Sequence, residues 1–262
     1  MKNFLAALWV EALKVHRSKV PFFTALGFLI LPLVSGLFMI ILKDPEAAKS
    51  MGLISTKAQL TAGTADWSSF FGILSQGAAV GGAILFAIIT AWVFGREFSD
   101  RTAKELLALP TSREAILGAK FVLIAIWTFS LSLLVFGLGL VVGYWIVIPG
   151  WSMELLQSAF VSVLGSTLLT IVLLPFVALV ASMGRGDAPA FGWAILTVAS
   201  AQIAIVTGWG DWFPWAVPAL FSGAVGPRAE QLGLHSYVTV ILFSAIGIAA
   251  TFSWWRNADQ TR

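Results

Sequence analysis

The sequence predicts an all-α polytopic membrane protein with six transmembrane helices, and three observations predict it. Of the 262 residues, 58% are hydrophobic and 11% charged, where a soluble domain carries roughly 25% charged residues. The charges are also gathered. Residues 22–42, 67–95, 121–153, 155–184, 188–210 and 231–255 contain no Asp, Glu, Lys or Arg. Each run exceeds the ~20 residues that a helix rising ~1.5 Å per residue needs to cross ~30 Å of hydrocarbon. The third observation selects helices over a barrel. The stretch LLVFGLGLVVGYWIVI at 133–148 is continuously apolar, without the alternation of a membrane strand, and helices satisfy their own backbone groups in lipid.

This composition excludes a soluble enzyme, a nucleic-acid binder and a disordered chain. What remains outside the runs is divided among two tails and five connections, none long enough for an ordinary soluble domain. A single transmembrane domain over residues 1–262 is expected, with spans at about 22–42, 69–94, 121–148, 155–183, 189–209 and 235–255. There are no cysteines, which removes disulfides and thiolate metal sites. His16 and His235 lie in opposite tail-like regions and predict no metal site.

Residues 2–20 read as an interfacial helix. Phe4, Leu5, Leu8, Ala12 and Val15 share one face, while Asn3, Glu11, Lys14 and Ser18 occupy another. Val10 and Leu13 sit off the apolar face, and Pro21 permits a sharp turn into the first span. That span is 21 residues long, longer than the ~7–15 of a signal-peptide core, so it is expected to be retained. Residues 43–66 form an outer loop that opens with the turn-rich KDPEAAKS. Gly77 and Gly81 in the second span, and Gly139 and Gly143 in the third, make small-xxx-small steps where helix backbones can approach. Pro175 predicts a kink in the fourth span. The stretch WGDWFPWAVPALFSGAVGPRAEQLGLH at 209–235 is apolar and aromatic, yet its core from Trp212 to Gly226 is too short to span. It reads as re-entrant half-helices that dip into the outer leaflet, which is tolerated against protein or a water-filled cavity.

Loops alternate sides across six spans. The N-terminal tail, the 95–120 loop, the 184–189 loop and the C-terminal tail together hold 12 of the 16 Lys and Arg residues. The positive-inside rule then places both termini in the cytoplasm. Trp67, Trp145, Trp151, Trp209, Trp212 and Trp215 fall near outer boundaries, and Trp9, Trp92, Trp254 and Trp255 near inner ones, where the bland role is interfacial anchoring.

No metal-protease, nucleophile-elbow or phosphate-loop motif is present, so no catalytic residue, metal or cofactor is assigned to this chain. The spans read as free of buried charge, which argues against an ion-driven carrier. Their polar groups are neutral. Gln76, Phe86, Thr90, Trp127, Thr128, Ser200 and Gln202 are candidates to face a substrate path, each with a packing role as the alternative.

The 95–120 loop, GREFSDRTAKELLALPTSREAILGAK, holds nine of the chain's 29 formal charges. Thr102 to Leu109 has good helix formers and ends at Pro110. Ala103, Leu106 and Leu107 make an apolar face beside Lys104 and Glu105, and Ser112 is placed to cap a second helix that leads into the third span. An amphipathic helix between two spans either lies on lipid or inserts into a groove on a soluble partner.

The segment resembles the loop between the second and third spans of ABC-2 type transporter permeases. The likeness rests on Glu97, on KELLALP with Leu106, Leu107, Leu109 and Pro110, and on Arg113. Glu11, Lys14 and Arg17 ahead of the first span resemble the family's interfacial elbow helix, and DWFPWAVPALF resembles its outer re-entrant element. The layout is similar to that of the small permeases of bacitracin and lantibiotic-immunity exporters. The resemblance implies a coupling helix seated in a separate ATPase subunit, in an assembly of two ATPases and two permease copies or paralogues within membrane lipid, with no nucleic acid. ATP and Mg would be held by the ATPase. Glu97, Asp100, Arg101, Lys104 and Glu105 would make polar contacts to it, and Leu106, Leu107 and Leu109 would fill its groove. The exported substrate would be amphipathic or hydrophobic: a peptide antibiotic, a drug or a lipid. The alternatives are a non-transport scaffold or assembly factor, or a channel.

Overall fold

The computed structural model describes residues 2–44, 52, 64–102, 105, 111–223 and 232–257. Every regular element among them is helical: α1 (Lys2–His16), α2 (Val20–Lys43), α3 (Trp67–Ser99), α4 (Arg113–Trp145), α5 (Met153–Met183), α6 (Asp187–Thr207), a 3₁₀ turn (Pro214–Ala216), α7 (Val217–Phe221) and α8 (Leu234–Asn257). Helices α2 to α6 and α8 are long and apolar enough to cross a membrane. The chain is a multi-pass membrane protein.

The three longest helices start on side-chain caps, which satisfy backbone N–H groups that have no partner inside the helix. The Asp66 carboxylate accepts the Ser69 N–H at 2.8 Å, the Ser112 hydroxyl that of Ala115 at 3.3 Å, and the Ser152 hydroxyl that of Leu155 at 3.1 Å. Helix α6 ends at Gly208, whose φ of +83° is the left-handed conformation that closes a helix without a Cβ penalty.

Helices α3 and α5 form the centre of the bundle. In each, 56% of the most apolar window is buried, against 28% for α2, α6 and α8. Small residues let the neighbours close in. A Cβ on Gly143 of α4 would stand 2.4 Å from the Trp67 ring of α3, and one on Gly139 would stand 2.6 Å from Leu74. Trp67 is therefore buried, whereas an interfacial anchor was expected there. Trp9, Trp145, Trp209 and Trp212 are exposed. Within the bundle, Ser and Thr hydroxyls mostly return to the carbonyl four residues back. The Thr167 hydroxyl also reaches Ser132 of α4 at 2.8 Å.

Two boundaries differ from the sequence reading. Helix α3 runs on to Ser99 and α4 begins at Arg113, so the connection between them spans 100–112 rather than 95–120. At 33 residues each, these helices are about 50 Å long, and their charged ends extend beyond ~30 Å of hydrocarbon. In the 209–235 stretch, where half-helices were expected, the described residues form the 3₁₀ turn and the five-residue α7. Trp215 to Leu220 are buried, and Phe221 fills the space at Gly165 of α5. Residues 224–231 lie outside the described set.

Candidate functional site

The basic end of the bundle collects α1, the end of α3, the start of α4, the α5–α6 turn and the end of α8. Helix α1 lies against α4, with Phe4 close to Gly118. Its protein-facing side is mixed, with Phe4 and Leu8 partly buried against the core. Ala7 and Glu11 are buried, while Leu5, Trp9 and Val10 are exposed. Glu11 and Lys14 of the polar stripe turn inward because their counter-charges lie there, while Asn3 is exposed.

Those counter-charges complete a ring of four ions. The Lys120 ammonium of α4 donates to Glu11 Oε2 at 3.0 Å, Glu97 Oε1 at 2.9 Å and the Val93 carbonyl at 2.9 Å. The Lys14 ammonium donates to Glu11 Oε1 at 2.8 Å and Glu97 Oε1 at 2.7 Å. Thr102 donates its hydroxyl to Glu97 Oε2 at 2.9 Å. Glu11, Glu97 and Lys120 are 3%, 2% and 0% exposed. Two carboxylates and two ammonium groups balance, which is the condition for keeping charge out of water. Burial works against the Lys14 ammonium, but Glu11 and Glu97 outweigh it and hold its pKa above the ordinary lysine value. The contribution of Lys14 to α1 docking is therefore fully present below pH 10.5 and is lost only as pH rises through the raised value.

The expectation that the spans hold no buried charge is thus corrected at their basic ends. Lys120 lies two turns inside α4 and not at a loop edge. The sequence carried one signal for it. Lys120 is the lone charge between Glu114 and Glu154, and a lysine so isolated in apolar surroundings needs a partner.

Around this ring, Ser99 donates its hydroxyl to Asp187 Oδ1 at 3.0 Å. A Cβ on Gly95 would meet the Asp187 backbone nitrogen at 2.8 Å, so the α5–α6 turn sits directly on α3. Arg113 Nη1 donates to the Trp255 and Arg256 carbonyls at 2.8 and 3.0 Å.

The expected partner contacts are therefore placed differently from one another. The carboxylate of Glu97 is taken up inside the chain, as are the head groups of Glu11 and Lys14. The guanidinium of Arg113 lies on α8. Asp100, 3.7 Å from Arg96, is exposed, as are Arg101, Glu105 and Arg17. Lys104, Leu106, Leu107, Leu109 and Pro110 lie outside the described residues.

The path candidates are not gathered at one place. Phe86, Thr90 and Thr128 are buried. Phe86 stacks on Phe28, and the two threonines bond to carbonyls of their own helices. Trp127 meets Trp92 edge to face. Ser200 is half-buried, and Gln76 and Gln202 are exposed. At the opposite end of the bundle, a cavity of about 800 Å³ opens between Trp67, Leu140, Tyr144, Val147 and Trp151, and none of these candidates lines it.

A six-span helical domain whose charged N-terminal helix is locked beside the connection of its second and third spans has the build of a membrane-embedded permease. The family model of the ABC-2 family transporter proteins matches residues 7–200, and the chain belongs to that family. It is 29% identical over 180 residues to the bacitracin transport permease protein BCRB of Bacillus licheniformis, which covers 68% of this chain and 85% of that protein. No solved structure matches the chain.

Proposed function

We propose that the chain is the permease subunit of an ATP-driven exporter, worked by a separate ATPase through the 100–112 connection. Two ATPase copies and a second permease, identical or paralogous, complete the unit. ATP and Mg are bound by the ATPase. The basic end faces the cytoplasm, in keeping with the charge distribution of the loops.

The observation that carries this reading is the ion ring. It ties α1, α3 and α4 together on both flanks of the 100–112 connection. Closure of an ATPase dimer against that connection would move the three helices as one body, the kind of rigid-body motion that switches a transporter between inward- and outward-facing states. Leu106, Leu107 and Leu109 supply the apolar contact to the ATPase, and the exposed Asp100, Arg101 and Glu105 the polar rim. Apolar spans suit an amphipathic or hydrophobic substrate. The resemblance to a bacitracin permease favours a peptide antibiotic, with a drug or a lipid as other members of the same class.

The test is co-purification with a nucleotide-binding subunit and substrate-stimulated ATP hydrolysis by the reconstituted complex. Leu106→Asp is expected to abolish both. Unaltered association and stimulation in that variant would overturn the assignment. Flux through the chain alone, without ATP, would establish a channel instead.

A further inference from the structure

The last helix ends on the first residue of α4. The final carbonyls of any α-helix have no partner within it and carry the negative pole of the helix dipole. In α8 two of these, Trp255 and Arg256, are taken by one guanidinium nitrogen of Arg113 at 2.8 and 3.0 Å. Glu114 answers in the other direction, accepting from Arg256 at 2.9 Å. Between these bonds Trp255 is fully buried. Its indole N–H donates to the Ser182 hydroxyl in the last turn of α5 at 2.9 Å, and its ring lies 5.8 Å from Phe98 of α3. Further along α8 the fit to α5 is equally close. Thr251 donates to the Pro175 carbonyl at 3.2 Å, and a Cβ on Gly247 would stand 3.0 Å from the Phe176 nitrogen.

We infer that Arg113 is a positioning residue that makes the basic ends of α4 and α8 one mechanical unit, so that displacement of the 100–112 connection is delivered to the last span as well as to α3 and α4. The inference rests on the proposed exporter function only for its consequence. The clasp itself is a property of this chain. Arg113 stands at the junction of the connection and α4, and both of its acceptors are backbone atoms. A moving 100–112 segment therefore pulls on the α8 main chain rather than on a side chain that can rotate away. Arginine is suited to this because its fork stays charged and presents fixed donors. Lysine at the same place keeps the charge as a single flexible point.

The experiment uses the absence of cysteine from the chain. Spin labels at Ala115→Cys and Ser253→Cys report the α4–α8 separation in nanodiscs, first for the chain alone and then for its complex with the ATPase. Alone, the wild-type background should give a narrow distance distribution that Arg113→Gln broadens and Arg113→Lys broadens less. In the complex, the wild-type distance should stay constant between nucleotide-free and ATP-trapped states. Arg113→Gln should lose substrate stimulation of ATP hydrolysis while the ATPase still co-purifies, with partial rescue by Arg113→Lys. Arg256→Gln removes only the exposed pair to Glu114 and should keep the narrow distribution, which separates the carbonyl cap from general disturbance of the end. A wild-type distance that changes on ATP binding, or a distribution in Arg113→Gln as narrow as wild type, overturns the inference. A narrow, Arg113-dependent distribution in a chain that captures no ATPase leaves the clasp intact and removes the exporter reading instead.

Discussion

Lys120→Met tests the ion ring most directly. The substitution keeps an unbranched stem but removes an ammonium that is fully buried and bonded to Glu11, Glu97 and the Val93 carbonyl. Two carboxylates then share Lys14 alone, leaving one uncompensated negative charge. Breaking a buried ion pair from one side costs about 3–5 kcal/mol. Lys14 remains within 2.8 Å of both carboxylates, and its side chain is 24% exposed, so part of the imbalance is relieved. The lower limit, about 3 kcal/mol, is the reasoned value, and at ~1.4 kcal/mol per tenfold it corresponds to roughly a 150-fold shift toward undocked α1. Ala7 is buried on the docked side of α1. In an Ala7→Cys background, where it is the single thiol, the maleimide labelling rate follows the undocked population. The rate should rise by about two orders of magnitude in Lys120→Met. Adding Glu11→Gln restores neutrality and should recover most of the protection, since a balanced neutral set is close in energy to a buried ion set. Labelling of Lys120→Met at the wild-type rate would refute the claim that charge balance docks this helix.

Two further outcomes follow from local geometry. Gly95→Ala places a methyl group 2.8 Å from backbone atoms of the α5–α6 turn, which cannot rotate aside, whereas Gly81→Ala meets nothing within 4 Å. The first should lower thermal stability by about 1–3 kcal/mol and the second should leave the melting temperature unchanged. Asp66→Ala removes the cap of α3 at a cost of about 0.5–2 kcal/mol, while Asp66→Asn keeps an acceptor. Hydrogen bonding to the Ser69 N–H holds the Asp66 pKa below its ordinary 3.8. Its stabilisation is therefore present above pH 3.8 and lost as pH falls through the lowered value, so acid melting curves of wild type and Asp66→Ala should converge.

The spans were legible because lipid imposes a length on apolar runs. The start of α4 was legible because Ser112 stands where a cap is needed. The limits of α3 and α4 were not. A charge near a helix end reads as loop, although Arg96, Glu97 and Lys120 lie within helices that continue past the hydrocarbon. Periodicity recorded that Glu11 and Lys14 share a face of α1, but it carries no information about what that face meets. The partner of Glu11 lies 109 residues away. Trp67 and Trp255 misled for a related reason. Tryptophan at a membrane boundary favours the headgroups by default. Gly143 makes room for the ring of Trp67, and Ser182 gives the indole of Trp255 an acceptor.

The two ends of the bundle are held by different forces. At the basic end the bonds are directional and mostly charge-assisted: the four-ion ring, the Arg113 cap and the Ser99–Asp187 contact, with the neutral Trp255–Ser182 bond beside them. The buried members of this set, the Lys120 bonds and the Trp255–Ser182 bond, each carry a desolvation penalty if broken alone. Lys120, Arg113 and Trp255 thereby tie α1, α3, α4, α5 and α8 to one another at this end. At the opposite end the contacts are mainly between rings. Trp67 lies 4.8 Å from Trp151 and 5.1 Å from Phe71, and Trp215 to Leu220 are buried. Among the described residues, directional bonds interrupt that pattern at His235, which meets Asp211 at 3.0 Å where α8 begins, and at Lys43, whose ammonium donates to the Val147 carbonyl at 2.9 Å. Rings also pack at the basic end, Phe98 against Trp254 and Trp255, so the difference between the ends lies in the buried charged bonds. If α8 is driven from its Arg113 end, its far end is where the bundle can part, and the His235–Asp211 contact is the bond that parting must stretch.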